Sequence, residues 1–315
     1  MTLPAILAAP MADYERLMAQ QLNTGVVLIN AITRDLSSRK GKRLRPILTM
    51  LSAGATFGSV PEKKILLAVA LELLHNSSLI HDDVVDESLL RRNSPTANST
   101  WGNKIAVLYG DFCLANVLQL LCSHASHEET AIVNLATIEM TEGELLQQQN
   151  SLNNDLSLDT YRSTIYKKTA SLLAACCQVG QWRPEPLEVD LRHFGYHFGM
   201  AFQMRDDLLD YSPSIQTGKP YGNDLREHKM TLPLILFMQR ASEGDKAFVE
   251  RVLKQEVIDD VEVMQVIAAA ERSGAIEATR EYVRQELDLA LASLAPLPDS
   301  PYKEALVQVT ESMSY

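Results

Sequence analysis

With 315 residues, 46% of them hydrophobic and 22% charged, the chain has the apolar content to bury a large core, and no low-complexity tract or solenoid-length repeat interrupts it. A net charge of -11 argues against nucleic acid as the main partner. The N-terminus, MTLPAILAAPM, lacks the basic flank of a secretory leader, and no run of 18 apolar residues is free of charge, so neither export nor a membrane span is predicted.

Helical period dominates in chain order. Residues 12–36 form one amphipathic segment and 45–57 a second, with Pro46 in the first turn, where its missing N–H is tolerated. Between them RKGKRLR (39–45) places five basic residues in seven, which in an acidic chain suggests an anion site. Pro61 opens a long helix predicted to reach about Asp86, and RRNSPTANST (91–100) reads as loop. Residues 101–125 and 127–149 make a helical pair, NSLNNDL (150–156) a break, and 158–179 a helix stopped by Gly180. A second long helix covers 186–211, with Gly195 and Gly199 four apart, either for close packing against a neighbour or simply tolerated. The turn-rich loop SPSIQTGKPYGND (212–224) follows, then helices from Met230 to about Ser312. Four cysteines (Cys113, Cys122, Cys176, Cys177) lie in apolar helical stretches without zinc-type spacing, as small core residues do in a reducing, cytoplasmic compartment. The predicted fold is all-α, a single-domain bundle of roughly ten or more helices around a central apolar cavity.

Chemistry concentrates at two helix ends. Between Lys64 and Asp82 the only formal charge is Glu72, so the helix is apolar on most sides and belongs inside. It finishes in Asp82, Asp83 and Asp86, and Asp82 and Asp86 lie one turn apart on one face. Such carboxylates repel unless solvated or neutralised by a hard cation such as Mg2+. One DDVVD leaves both readings open. Asp206, Asp207 and Asp210 repeat the spacing at the end of the second long helix, which favours two acidic walls holding metal ions around a polyphosphate. His75 lies two turns before Asp82, with Ser78 between them. Arg91 and Arg92 follow the first motif, and their planar guanidinium groups suit phosphate oxygens. Lys168 sits on a mostly apolar helix and needs an anionic partner or an exit to solvent, while Lys219 and Lys229 flank the loop after the second motif.

Together GKRLRP, HNSSLIHDDVVDESLLRR, KKTA, FQMRDDLLDY and GKPYGNDLREHKMTLP resemble the trans-type isoprenyl diphosphate synthases over roughly residues 38–235. The resemblance implies an all-α homodimer that uses Mg2+, three ions bound with diphosphate, to join isopentenyl diphosphate to an allylic diphosphate. Carried over by motif, Lys42, Arg45, His75 and Arg92 would contact isopentenyl diphosphate. Arg91, Lys168, Thr169, Gln203, Lys219 and Lys229 would hold the allylic diphosphate. Asp82, Asp86 and Asp206 would bind metal directly, with Asp83, Asp207 and Asp210 completing the motifs. Three positions depart from the family: Lys40, Asn93 and His228 stand where glycine is common.

Product length should follow the depth of apolar space below Asp82. Ser78 and Ser77, four and five residues before it, are small, and Leu74 and Leu71 lie deeper, Leu71 about 16 Å down at the helical rise. Residues of a facing helix (Phe112, Leu114, Leu118) would also bear on the limit. By resemblance this suggests a medium or long product, about C30–C40, against a shorter geranylgeranyl or farnesyl one. A class I terpene cyclase would leave the basic cluster unexplained, a non-catalytic subunit could have lost its aspartates, and a structural bundle gives no reason for the charge placement.

Overall fold

In the computed structural model, residues 4–37, 41–91, 94–212 and 221–314 are described. The apolar run after Pro61 forms the central helix. In chain order the helices are α1 (Ala8–Leu22), α2 (Val27–Ser37), α3 (Leu44–Phe57), α4 (Glu62–Val85), α5 (Ala97–Trp101), α6 (Asn103–His124), α7 (His127–Asn153), α8 (Leu158–Ile165), α9 (Ser171–Gln181), α10 (Leu191–Asp210), α11 (Asn223–Arg226), α12 (Leu232–Arg240), α13 (Glu243–Val252), α14 (Asp260–Arg272), α15 (Ala275–Leu294) and α16 (Pro301–Glu311). Among the described residues the one strand pairing is a hairpin of Leu90–Arg91 with Ser94–Pro95. The fold is all-α.

Leu67, Ala68, Leu71 and Leu73 of α4 are wholly buried, because α6 packs along one side and α3 and α9 along the others. Pro61 is the N-cap of α4, just ahead of its first residue. The second long helix, α10, lies between α9 and α15. Gly195 and Gly199 make that approach possible: a Cβ on either would fall 2.6 Å from the Cα of Ala174 or Ala170. So α9 is a neighbour of both acidic-ended helices and sets their relative placement.

Local chemistry moved several boundaries. Residues 12–36 divide into α1 and α2 because Asn30 locks the intervening turn, accepting from the Thr24 N–H and donating to the Thr24 carbonyl. α7 runs past the predicted break to Asn153: Asn150 bonds Thr164 from within the helix, and Asn154 caps it at φ +48°. The expected helix over 158–179 is interrupted by a π-turn, Tyr166–Ala170. Gly180 does not end α9. It sits inside the helix where a Cβ would strike the Thr49 carbonyl of α3 at 2.3 Å. The loop predicted at 91–100 holds the hairpin and α5.

Cys113, Cys176 and Cys177 are buried and unoxidised, their thiols pushed up by burial, but Cys122 is exposed on α6. α6 carries Lys104 and Asp111, yet by length and composition it is long and apolar enough to cross a membrane, as core helices also can be. Here it packs along α4, with Leu108 and Leu118 of its other face exposed. At the far end of α4, the buried ammonium of Lys64 reaches Glu129 and the carbonyls of Val179 and Trp182 at 2.7–2.9 Å, tying α4 to α7 and α9.

Candidate active site

Both acidic motifs stand at helix C-termini, where the helix dipole opposes negative charge. At the first motif Arg91 and Lys168 offset part of that charge. Asp83 is buried, and its carboxylate accepts from Arg91 Nε at 2.8 Å. Its backbone carbonyl accepts from Ser88 N–H and Asn98 Nδ2, which anchors the following loop to the helix end. Asp82 is half-buried; burial pushes its carboxyl up to about 6, with Asp86 and Glu144 adding to the rise and Lys168 and Arg91 opposing it. Asp86 is the C-cap.

The second motif is held from α8 and the π-turn. Thr169 Oγ1 donates to Gln203 Oε1 (2.7 Å), and Gln203 Nε2 donates to Asp207 Oδ1 (2.8 Å). Tyr161 Oη donates to Asp207 Oδ2 (2.6 Å). Asp207 is buried and rises to about 7 through burial, with Asp206 and Asp210 adding to it. Asp210 receives the backbone N–H groups of Asn223 and Asp224 at 3.0 and 2.9 Å. Asp206 alone of the three is exposed. Both oxygens of Asp207 and of Asp210 therefore carry hydrogen bonds from the chain itself, which suits holding the motif more than gripping an ion.

The two walls meet. Val85 and Asp86 of the first motif line a cleft of about 240 Å³ with Gln147, Gln148 and Ser151 of α7 and with Glu227 and Lys229 from beyond the second. Burial alone would lower the Lys229 ammonium, but Asp224, Glu227 and Asp86 raise it above its ordinary value. Asp82 and Lys168 act on one another, Thr169 and Gln203 link that helix to Asp207, and Asp210 holds the turn that carries Asp224 and Lys229 back to Asp86. These contacts link the two motifs on one side through Lys168 and Thr169 and on the other through Asp224 and Lys229.

Lys42 is exposed just before α3, Arg45 is half-buried in the first turn of α3, and His75 is half-buried on α4, against which α3 packs. Arg43 of the same basic cluster is committed elsewhere, pairing with Glu15 and Glu72 at 3.3 Å. Arg92 and Lys219 lie outside the described residues, as do Lys40 and Asn93. His228 has φ +54°, the left-handed conformation that glycine adopts freely, so its backbone matches the glycine it replaces. Ser77 and Ser78 part company: buried Ser77 donates to the Gly110 carbonyl of α6, while Ser78 is half-buried and donates to the His75 carbonyl. Leu71 and Leu74 are in the core.

Three site residues escaped sequence reasoning. Asp224 follows Asp210 in the stretch that carries the resemblance, and burial with Asp210 and Asp207 pushes it well above the carboxylate range. Glu144 pairs with Lys168, and Tyr161 holds Asp207. Only Glu144 left a signal: EGE (142–144) offers one carboxylate to each lysine of KK (167–168).

The sequence matches the polyprenyl synthetase family over residues 26–270. The chain belongs to that family. This polyprenyl synthetase is 38% identical over 312 residues to the all-trans-nonaprenyl-diphosphate synthase (geranyl-diphosphate specific) of Rhodobacter capsulatus, covering 96% of this chain and 95% of the relative. It is 36% identical over 307 residues to octaprenyl diphosphate synthase of Escherichia coli, covering 96% and 94%. The crystal structure of a polyprenyl synthase from Caulobacter crescentus, complexed with calcium and isoprenyl diphosphate, superposes with a TM-score of 0.91 at 33% identity, covering 99% of this chain and 98% of that one. The polyprenyl synthetase is accordingly a prenyltransferase making prenyl diphosphates of medium to long chain.

Proposed function

We propose that the enzyme joins isopentenyl diphosphate head-to-tail to an allylic diphosphate, all-trans, and stops at about C30–C40. The observation carrying this is the shared cleft, in which Asp86 from one acidic helix end faces Lys229 from beyond the other. The donors fit Mg2+, since every candidate ligand is a hard carboxylate oxygen and burial holds Asp82 up toward its neutral form even against Lys168 and Arg91. Among the described residues no three acidic, histidine or cysteine side chains converge on one point, so the ions, three by family likeness, would complete their shells with diphosphate oxygens and water. Asp82, Asp86 and Asp206 would hold them; Asp207 and Asp210 would keep the second wall in place. Bound Mg2+ supplies the positive charge that lets the diphosphate leave.

The chain's own cations complete that work. Arg91, Lys168 and Lys229, joined by family likeness by Lys219 and Arg92, neutralise charge growing on the departing group. Thr169 and Gln203 position the allylic diphosphate against the second motif. Lys42, Arg45 and His75 hold isopentenyl diphosphate with its double bond toward the allylic carbon, so that positioning lowers the barrier. The lengthening chain descends along α4 past Ser78 and Leu74. The cysteines, free of disulfides, suit a cytoplasmic site of action. The single core running from Leu7 to Met313 supports one domain. The exposed apolar residues of α6 (Leu108, Leu118) and α7 (Leu135, Ile138, Leu145) support a homodimer packed through these helices.

Mass analysis of products from isopentenyl diphosphate with allylic primers of increasing length tests the assignment. All-trans products of about C30–C40, made by the single chain only with Mg2+, are expected. Cyclised hydrocarbons from the primer alone, or activity only with a second polypeptide, would refute it.

A further inference from the structure

The cations that should receive diphosphate already have carboxylate partners. Arg91 is on Asp83, Lys229 on Glu227, and Lys168 on Glu144. Asp83 lies within the acidic motif, and Glu227 is in the turn that carries Lys229. Glu144 is different. It comes from α7, a separate wall, and its position is built by a glycine. α7 meets the π-turn at Gly143, where a Cβ would fall 2.4 Å from the Lys168 backbone nitrogen. That contact sets Glu142 beside Lys167 and Glu144 beside Lys168, so two ion pairs straddle one glycine. The Glu142–Lys167 pair lies outward, with the Glu142 side chain 56% exposed. The Glu144–Lys168 pair lies inward, at 20% and 26%. The inner pair acts on Asp82 from both ends, Glu144 as a third negative charge at the mouth and Lys168 as its counter-charge.

We propose that Glu144 is a positioning residue that occupies Lys168 in the diphosphate-free enzyme and must release it when the allylic diphosphate binds. The consequence is competition. A carboxylate carries one negative charge and a diphosphate several, so Lys168 transfers to the substrate, but each binding event first breaks the ion pair. Glu144 is then left unpaired near Asp82 and the diphosphate, a repulsion that only metal ions offset. Glu144 thereby makes diphosphate binding depend on Mg2+, disfavouring capture of a diphosphate that arrives without its ions. It also favours release of pyrophosphate once the ions depart, because Lys168 has a partner waiting. The π-turn supports the exchange: with its backbone ladder already widened, it can shift Lys168 with little loss of helix.

The inference rests on the diphosphate-binding role proposed above, and one experiment separates the two. Inorganic pyrophosphate is titrated by calorimetry into the full-length protein, with and without Mg2+. The variants are Glu144→Gln, Lys168→Met and the double variant. Glu144→Gln should bind metal-free pyrophosphate roughly fivefold more tightly than the unaltered chain, the scale of one half-exposed ion pair. With Mg2+ the gain should shrink, and with Lys168→Met already present it should vanish. Equal or weaker binding by Glu144→Gln, or the same gain in the Lys168→Met background, would overturn the competition while leaving the diphosphate site intact. If the unaltered protein binds no pyrophosphate even with Mg2+, the site assignment itself fails, and the inference with it.

Discussion

Asp82, Asp207 and Asp224 are carboxyl groups raised by burial, and this has a measurable cost. Asp82 rises to about 6 and Asp207 to about 7, while the unfolded chain gives up these protons near pH 4. The folded protein therefore binds more protons than the unfolded one between those limits, and linkage makes its stability fall as pH rises from about 4 through 7. Metal-free protein should lose thermal stability over that interval, and Mg2+ with pyrophosphate should remove much of the slope while releasing protons. Calorimetry in two buffers of different ionisation enthalpy reads the release, and binding without proton loss would contradict the assignment. Tyr161 stands behind the same group. Tyr161→Phe removes a hydrogen bond to Asp207 worth about 2 kcal/mol and should lower stability by that scale in urea denaturation. His228→Gly should do the opposite, by about 1 kcal/mol, because it relieves a left-handed residue.

α4 and α10 were legible as elements because apolar runs ending in acids have one physical explanation, burial up to a polar mouth. Gly195 and Gly199 were legible for the same reason, since spacing of four on an apolar helix asks for a close neighbour. Gly180 misled because a glycine near a helix end looks like a cap, and only α3 pressing on it shows otherwise. The π-turn had no local signal: YKKTA has ordinary helix formers, and its widened ladder comes from packing against α7. Tyr161 and Asp224 were invisible as site residues because their partners are fixed by tertiary contact. Two substitutions test the packing. Gly199→Leu would drive a side chain into Ala170, 2.6 Å from the Cβ position, and should cost at least about 1–3 kcal/mol with loss of activity. Lys64→Met would leave buried Glu129 with the half-exposed Lys63 and the Ser126 N–H as its partners and should cost about 3 kcal/mol in urea denaturation.

At the scale of the whole molecule, the proposed chemistry belongs to the cleft, and the proposed product length and assembly belong to the helices around it. Ser78→Phe should shorten the product, since Ser78 is half-buried with its hydroxyl satisfied within its own helix, whereas a ring at Ser77 would first break the contact with Gly110 of α6. Unchanged length for Ser78→Phe on mass analysis would mean that the tail runs elsewhere. Under the proposed homodimer, the exposed apolar faces of α6 and α7 account for α6 being, among the described residues, the one helix apolar enough to resemble a membrane span: one side packs on neighbours and the other would meet a second copy. Leu118→Glu should give monomers in sedimentation, with the helical content kept.

The central claim is that two acidic helix ends grip one metal-bound diphosphate. A crystal grown with Mn2+ and pyrophosphate and measured for anomalous scattering tests it most directly. Ions should lie on carboxylate oxygens of Asp82, Asp86 and Asp206, about 2.2 Å away, with pyrophosphate bridging to Lys168 and Lys229. Ions confined to one motif, or pyrophosphate bound away from both, would contradict it.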